Sequence, residues 1–286
     1  MKIKSSEMPL QADGSVYHLN LRTEELASKI ILVGDPGRVA LVSSFFDTVE
    51  VKKQNREILT HTGTYKGKRI SVISTGMGTD NMDIVVNELD ALVNIDLAKR
   101  ERKAGHSRLE MVRIGTCGAL QKNIEIHAYI ASQYGLGLDG LLHSYKHEGI
   151  SDEALVSAFV KQCRRNSRLP YPYAVGCSET LMQNIGFDCL PGITLTATGF
   201  YAPQCRVLRL PLADGDFIKA LEGFHYKNLY FTNMEMETSA LYALSRLLGH
   251  EALTICIAIA NRVNGNFSNG YKEAMEKLVE KVLERI

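Results

Sequence analysis

The sequence predicts an α/β fold in one domain, and three observations carry that expectation. Apolar runs of strand length end in glycine-containing turns. Longer stretches between them repeat apolar residues at helical spacing, and strands alternating with helices are the mark of the α/β class. No Pro/Ser-rich linker, repeat or low-complexity tract divides the 286 residues, so residues 1–286 are expected to form a single domain.

The elements follow in order. Residues 29–34 are an apolar run ending in glycine, as a buried strand would be. A second strand is predicted over 69–75, closed by Gly76-Met77-Gly78-Thr79. The helix after it starts near Asp80 and carries Ile84, Val85, Leu89, Leu92 and Val93 at helical spacing. Residues 109–115 give a third strand, which Gly115 and Gly118 are expected to break. The glycine-rich, polar stretch 133–150 reads as a loop over one face, and 207–232 carries no motif. Ser151 is the expected cap of a helix reaching about residue 165, with Asp152 and Glu153 in the first turn, where the dipole favours acids. Thr238 to Leu248 reads as a helix stopped by Gly249, and Leu253 to Ala260 as a core strand. A final amphipathic helix, 271–286, puts Met275, Leu278, Val279, Val282 and Leu283 on one stripe.

Composition narrows the function classes. A net charge of +1 gives no general attraction to nucleic acid or membrane, so any basic site must be local. The six cysteines lack ligand spacing, which argues against a zinc site or a disulfide framework. No run approaches the ~18–20 apolar residues of a membrane helix. The N-terminal residues lack the apolar centre of a signal peptide, and the expectation is a soluble protein of the reducing cytoplasm.

Chemistry concentrates in a few segments. In Asn233-Met234-Glu235-Met236-Glu237, two carboxylates one residue apart would face the same way on extended backbone and could grip sugar hydroxyls, with methionine as an apolar surface. Gly34-Asp35-Pro36-Gly37-Arg38 follows a strand and suits an oxyanion, although such a motif also makes an ordinary strand-to-helix turn. Arg113, inside a core strand, needs a carboxylate or a bound anion. Gln204 and Arg206, two apart, would offer an amide and a guanidinium to one planar partner on which Phe200 could stack, or else form a surface loop. His18 and Arg56 lie in polar segments where, taken singly, a solvated side chain is the simpler account.

Taken jointly, these segments resemble the nucleoside phosphorylase family, with a close match to its uridine phosphorylase branch. The likeness runs from Tyr17-His18-Leu19 to Asn261-Arg262, through Gly-Asp-Pro-Gly-Arg (34–38), Asn-Arg-Glu (55–57), Ser-Thr-Gly-Met-Gly (74–78), Arg-Ile-Gly-Thr-Cys-Gly (113–118), Phe-Tyr-x-x-Gln-x-Arg (200–206) and Met-Glu-Met-Glu (234–237). The resemblance implies a three-layer α/β/α sandwich around a mixed sheet. It implies that Gly34, Arg38, Arg113 and Thr116 hold inorganic phosphate, the co-substrate. Arg56 would reach the phosphate of a neighbouring subunit, and His18 the ribose 5′-hydroxyl across the same interface, so the protein would be at least a homodimer with shared sites. Met236 and Glu237 would bind the ribose, with Glu237 on the 2′-hydroxyl. Gln204 and Arg206 would read the uracil edge, Phe200 would pack on it, and Arg262 would support the pocket through solvent.

The implied reaction is reversible phosphorolysis of uridine to uracil and ribose 1-phosphate, in pyrimidine salvage, with Arg113, Glu237, Gln204 and Arg206 as the catalytic set. It needs neither metal nor organic cofactor. Purine-specific relatives of bacterial type place a general-acid aspartate where Asn261 stands, and Asn cannot donate that proton. A purine phosphorylase or a nucleosidase of the same family is the alternative, and a nucleoside-binding protein without turnover the alternative from another class. One position departs from the pattern: Cys117 stands where many relatives have a second threonine.

Overall fold

An apolar, β-branched run makes the first strand, β1 (Lys29–Val33), buried at four of its five positions. The computed structural model describes residues 2–164 and 166–286. Asp35 caps the next turn by accepting from the Gly37 N–H at 2.9 Å, and Pro36 takes the first position of α1 (Pro36–Ser43). The antiparallel strands β2 (Thr48–Asn55), β3 (Ile58–Tyr65) and β4 (Lys68–Ser74) lead to α2 (Thr79–Asn94) and a small ribbon, β5 (Ile95–Asp96) with β6 (Glu101–Arg102). Then come β7 (Glu110–Ala119), β8 (Tyr129–Gly137), α3 (Glu153–Gln162), β9 (Tyr173–Gly176), a one-turn α4 (Glu179–Leu181), β10 (Leu190–Thr196) and α5 (Phe217–Glu222). The chain closes with β11 (Phe231–Glu235), α6 (Thr238–Leu248), β12 (Glu251–Asn261), β13 (Asn266–Phe267) and α7 (Lys272–Arg285).

The result is the expected α/β fold with a mixed central sheet and helices on both sides. From one edge the order runs β2, β3, β4, β1, β7. Beyond β7 the sheet curls: β12 pairs parallel with β7 and antiparallel with β8, while β8, β10 and β11 lead back to β7, closing a ring of five strands. Helix α2 packs along α6, and α1 against α7, whose buried Met275, Leu278, Val279, Val282 and Leu283 are the predicted stripe.

Strand β7 positions the site. Its first half, Glu110 to Ile114, lies between β1 and β12, whereas Gly118 and Ala119 pair with β11. Between those two partners the β1 side of β7 is open over residues 115–117, and a crevice at the point where strands part is where α/β sheets bind ligands.

Three expectations need correction. Strand β7 is not broken at Gly115 but runs through to Ala119. Gly115 is there because the Arg113 guanidinium folds over it: a Cβ would lie 2.4 Å from Arg113 Nη1 and 2.8 Å from Cys256 Sγ. The stretch 133–150 is not all loop, since β8 continues to Gly137, and a Cβ on Gly135 would meet the Ser239 backbone of α6 at 3.0 Å. Helix α3 is capped by Asp152, which accepts from the Leu155 N–H, while Ser151 accepts from the Ala174 N–H instead. Its expected end near residue 165 falls outside the described residues; the helix itself stops at Gln162.

Candidate active site

The crevice beside β7 is a cavity of about 630 Å³ lined by residues from far-apart segments. Gly34 comes from the β1–α1 turn and Arg38 from the first turn of α1, Thr116 and Cys117 from β7, and Met236 and Glu237 from the β11–α6 junction. Arg113 reaches it from inside the sheet with a side chain only 4% exposed. Its Nη1 donates to Cys256 Sγ at 3.6 Å and lies 3.0 Å from Glu235 Oε2 as an ion pair, its Nη2 donates to Glu237 Oε2, and its Nε has no protein partner. The two carboxylates therefore do converge, on one guanidinium.

Each carboxylate is also held from its other side. Glu235 accepts from Thr196 Oγ1 (2.8 Å) and from the backbone N–H groups of Glu237 (3.0 Å) and Thr238, which satisfies the start of α6. Glu237 accepts from the Gly78 N–H at 2.8 Å, which ties the 74–78 motif to the 234–237 motif. Burial raises the Glu237 carboxyl above its ordinary value, with Arg113 opposing and Glu235 adding to the rise. Burial also works against the Arg113 charge, but Glu237 and then Glu235 outweigh it, so that its pKa stands above the usual arginine value. Burial pushes the Cys117 thiol well up as well, and it faces the Ile257 carbonyl as a neutral S–H.

The other end of the cavity is the 200–206 segment. It is not extended, as the alternation argument assumed: Ala202–Gln204 forms a 3₁₀ turn and Cys205 is left-handed, with φ 56°. The turn itself brings the pair together, with Arg206 Nη1 donating to Gln204 Oε1 (2.6 Å) and to the Phe200 carbonyl (2.8 Å). The Arg206 guanidinium also sits 3.8 Å from the centre of the Phe200 ring, a cation–π contact. Burial, and then repulsion from Arg262, lower the Arg206 pKa to about 10. Arg262 stands behind the turn and donates directly to the carbonyls of Gln204 (3.3 Å) and Cys205 (3.2 Å).

Gly34, Arg38, Arg113, Thr116, Phe200, Gln204, Arg206, Met236 and Glu237 thus share one cavity, whereas His18, Arg56 and Arg262 do not line it. Arg56 occupies the β2–β3 turn, with φ 52°. Asn55 Nδ2 donates to the carbonyls of Tyr17 (3.0 Å) and His18 (3.1 Å), so His18 and Arg56 belong to one local cluster. Asn81 and Phe267 line the cavity with no signal in the sequence, and Glu57 lines it although the sequence marks it only as part of the 55–57 motif, without a role. Phe267 sits on the two-residue β13 and gives no signal beyond being an aromatic in a polar stretch. Glu235, the partner of Arg113, was visible only as half of the alternating pair.

Asn261 is fully occupied elsewhere. Its Nδ2 donates to the Gln121 and Ile124 carbonyls (2.9 and 2.8 Å), and its Oδ1 accepts from the Val263 and Asn264 N–H groups. Asp90, His106 and His250 gather metal-type ligand atoms within 4.8 Å of one another. The donor set does not suit a cation, because His250 Nδ1 accepts from the Leu109 N–H at 3.2 Å. The ring proton is then on Nε2, which lies 3.2 Å from Asp90 Oδ1, within ion-pair distance, without completing a hydrogen bond.

A family model, that of the phosphorylase superfamily, matches residues 28–285. The uridine phosphorylase of Thermococcus kodakarensis is 31% identical over 281 residues, which cover 96% of this chain and 87% of that protein. A DeoD-type purine nucleoside phosphorylase of Oceanobacillus iheyensis is 28% identical over 87% of this chain and 88% of its own. Among solved structures, a Trypanosoma brucei nucleoside phosphorylase described as showing uridine phosphorylase activity is similar with a TM-score of 0.88 and 29% identity, covering 97% of this chain and 98% of that one. With nearly its whole length matched in sequence and in fold, the chain belongs to the phosphorylase superfamily.

Proposed function

We propose that the protein is a uridine phosphorylase, converting uridine and phosphate reversibly to uracil and ribose 1-phosphate. The observation that carries this is the joining, in one cavity, of a cationic end (Arg38, Arg113), a buried carboxylate (Glu237) and an amide–guanidinium pair (Gln204, Arg206). Phosphate fits the cationic end, with Gly34 and Thr116 supplying close backbone and a hydroxyl. Ribose fits against Met236, with its 2′-hydroxyl on Glu237. Uracil fits Gln204, Arg206 and Phe200.

As the C1′–N1 bond breaks, its electron pair leaves with the uracil and positive charge develops on the sugar ring. A phosphate oxygen then bonds to C1′. Gln204 and Arg206 stabilise the leaving anion by preorganised donation, which replaces a general acid. The scheme uses no metal or organic cofactor, and its setting is pyrimidine salvage in the cytoplasm.

Purine relatives make a purine substrate the competing reading. It is disfavoured by Asn261, whose side-chain groups all have backbone partners and which does not line the cavity. Uridine cleavage followed by ultraviolet absorbance is the test. Turnover should require phosphate. Equal cleavage in phosphate-free buffer would make the protein a nucleosidase; no cleavage of uridine in either buffer would leave a purine phosphorylase, which phosphate-dependent cleavage of inosine would reveal, or a binding protein.

The site is proposed to be shared between subunits, with His18 and Arg56 serving a neighbour. Their clustering at one locus outside their own chain's cavity supports this. Mixing Arg56→Ala subunits with Arg113→Ala subunits should restore activity, because each mixed dimer would hold one site with both arginines. Heterodimers that form and remain inactive would show that sites are not shared.

A further inference from the structure

Glu88 lies on α2, outside the cavity, and its carboxylate grips one segment at several atoms. The His18 N–H donates to both oxygens at 3.0 Å, the Leu19 N–H donates to Oε2 at 2.8 Å, and Oε1 is 2.6 Å from His18 Nδ1. Both side chains are mostly buried, at 26% and 15% exposed, beside a cleft of about 790 Å³. A carboxylate only accepts, so this contact places a proton on Nδ1 whatever the charge on the ring. His18 Nε2 makes no hydrogen bond to the described residues. Tyr17 packs edge-on against the ring, with centroids 5.0 Å apart, which limits its rotation.

We propose that Glu88 is a positioning residue: it fixes the orientation and tautomer of His18 so that Nε2 is the nitrogen offered to the ribose 5′-hydroxyl of a neighbouring subunit's site. The inference rests on the reading of His18 given above. A carboxylate partner at one ring nitrogen decides what the other nitrogen can do. Glu88→Gln replaces one accepting oxygen with an NH₂ donor, and a single remaining oxygen cannot serve the two backbone N–H groups and Nδ1 together.

Wild type, His18→Ala, Glu88→Gln and the double variant should be assayed with uridine and 5′-deoxyuridine at saturating phosphate. Wild type is expected to favour uridine in kcat/KM by roughly tenfold, the scale of one hydrogen bond. His18→Ala should abolish that preference, Glu88→Gln should remove most of it, and the double variant should go no further. For Glu88→Gln, kcat/KM with 5′-deoxyuridine should stay within about threefold of wild type, which a general loss of structure would not allow. Should His18→Ala lose the preference while Glu88→Gln keeps it, Glu88 has no positioning role. Should His18→Ala itself keep it, the assignment of His18 to the ribose fails first and the proposal falls with it. A second measurement needs no carboxylate variant. In wild type with nitrogen-15-labelled histidine, the His18 ring, assigned by its loss in His18→Ala, should carry its proton on Nδ1. A neutral ring protonated on Nε2 overturns the proposal even if Glu88→Gln fails to fold.

Discussion

Arg113→Ala is expected to lower uridine turnover by on the order of a hundredfold or more, the scale of losing a preorganised donor where charge develops. The guanidinium is 4% exposed and joins Glu235 and Glu237 at the floor of the cavity. Its removal leaves two buried carboxylates facing each other without a cation, and breaking a buried pair costs about 3–5 kcal/mol. Stability therefore falls together with activity. Arg113→Lys separates the two effects: it keeps a charge but not the planar fork, so most of the stability should return while most of the turnover does not. The pH dependence has a definite sign. Burial already holds the Glu237 carboxyl above its ordinary 4.5, against the pull of Arg113. Without Arg113 the folded-state value rises further above the unfolded one. A group raised in this way stabilises the fold below its unfolded value and loses that contribution as pH climbs through the folded value. Thermal melting of Arg113→Ala should therefore weaken as pH is raised above 4.5. Turnover within about twofold of the parent would remove Arg113 from the site.

The elements that were legible in the sequence are those whose signal is local. Helix α6 spans Thr238–Leu248 as read, because its periodicity ends at Gly249 in the left-handed conformation, with φ 76°. The buried stripe of α7 was equally plain. The turn at Gly34–Arg38 starts a helix through Asp35 and Pro36, as its simpler reading has it, and Gly34 and Arg38 also line the cavity, where the oxyanion reading requires them to be. What stayed hidden depends on distant partners. Glycines at 115 and 135 look like breaks in a sequence, yet in the fold they make room for Arg113 and for the backbone of α6 inside continuous strands. Closure of the strand ring through β12 has no local signature at all, and that closure opens the crevice beside residues 115–117. The same holds for the site. Arg113 had to find an anion, but only the fold shows that Glu235 and Glu237 share it. The pairing of Gln204 with Arg206 was anticipated for the wrong reason: a 3₁₀ turn, not strand alternation, joins them.

That turn governs the second large effect, the choice of base. Gln204 is 3% exposed and Arg262 fixes the backbone of the turn from behind, so its polar groups cannot easily relax toward water. Gln204 can both donate and accept, matching the N3–H and a carbonyl of uracil, while Arg206 only donates and suits the other carbonyl. The bond between Arg206 and Gln204 Oε1 fixes their relative orientation before any base arrives. Cytidine would present an amino group to a donor, and each buried group left unpaired costs ~1–3 kcal/mol. Adenosine and inosine would find no proton donor at Asn261, whose amide is committed to the Gln121 and Ile124 carbonyls. Uridine should therefore be cleaved at least about a hundredfold more efficiently than cytidine, inosine or adenosine, as two such mismatches require. Gln204→Ala and Arg206→Ala should both damage uridine cleavage while leaving the KM for phosphate nearly unchanged, since neither touches the Arg38–Arg113 end. Arg206→Ala also frees the face of Phe200, so some stacking on the base should survive in that variant and the loss should fall more on kcat than on uridine KM. A side-by-side panel of the four nucleosides decides the matter: inosine cleaved as well as uridine would end the pyrimidine assignment while leaving the phosphorylase superfamily fold untouched.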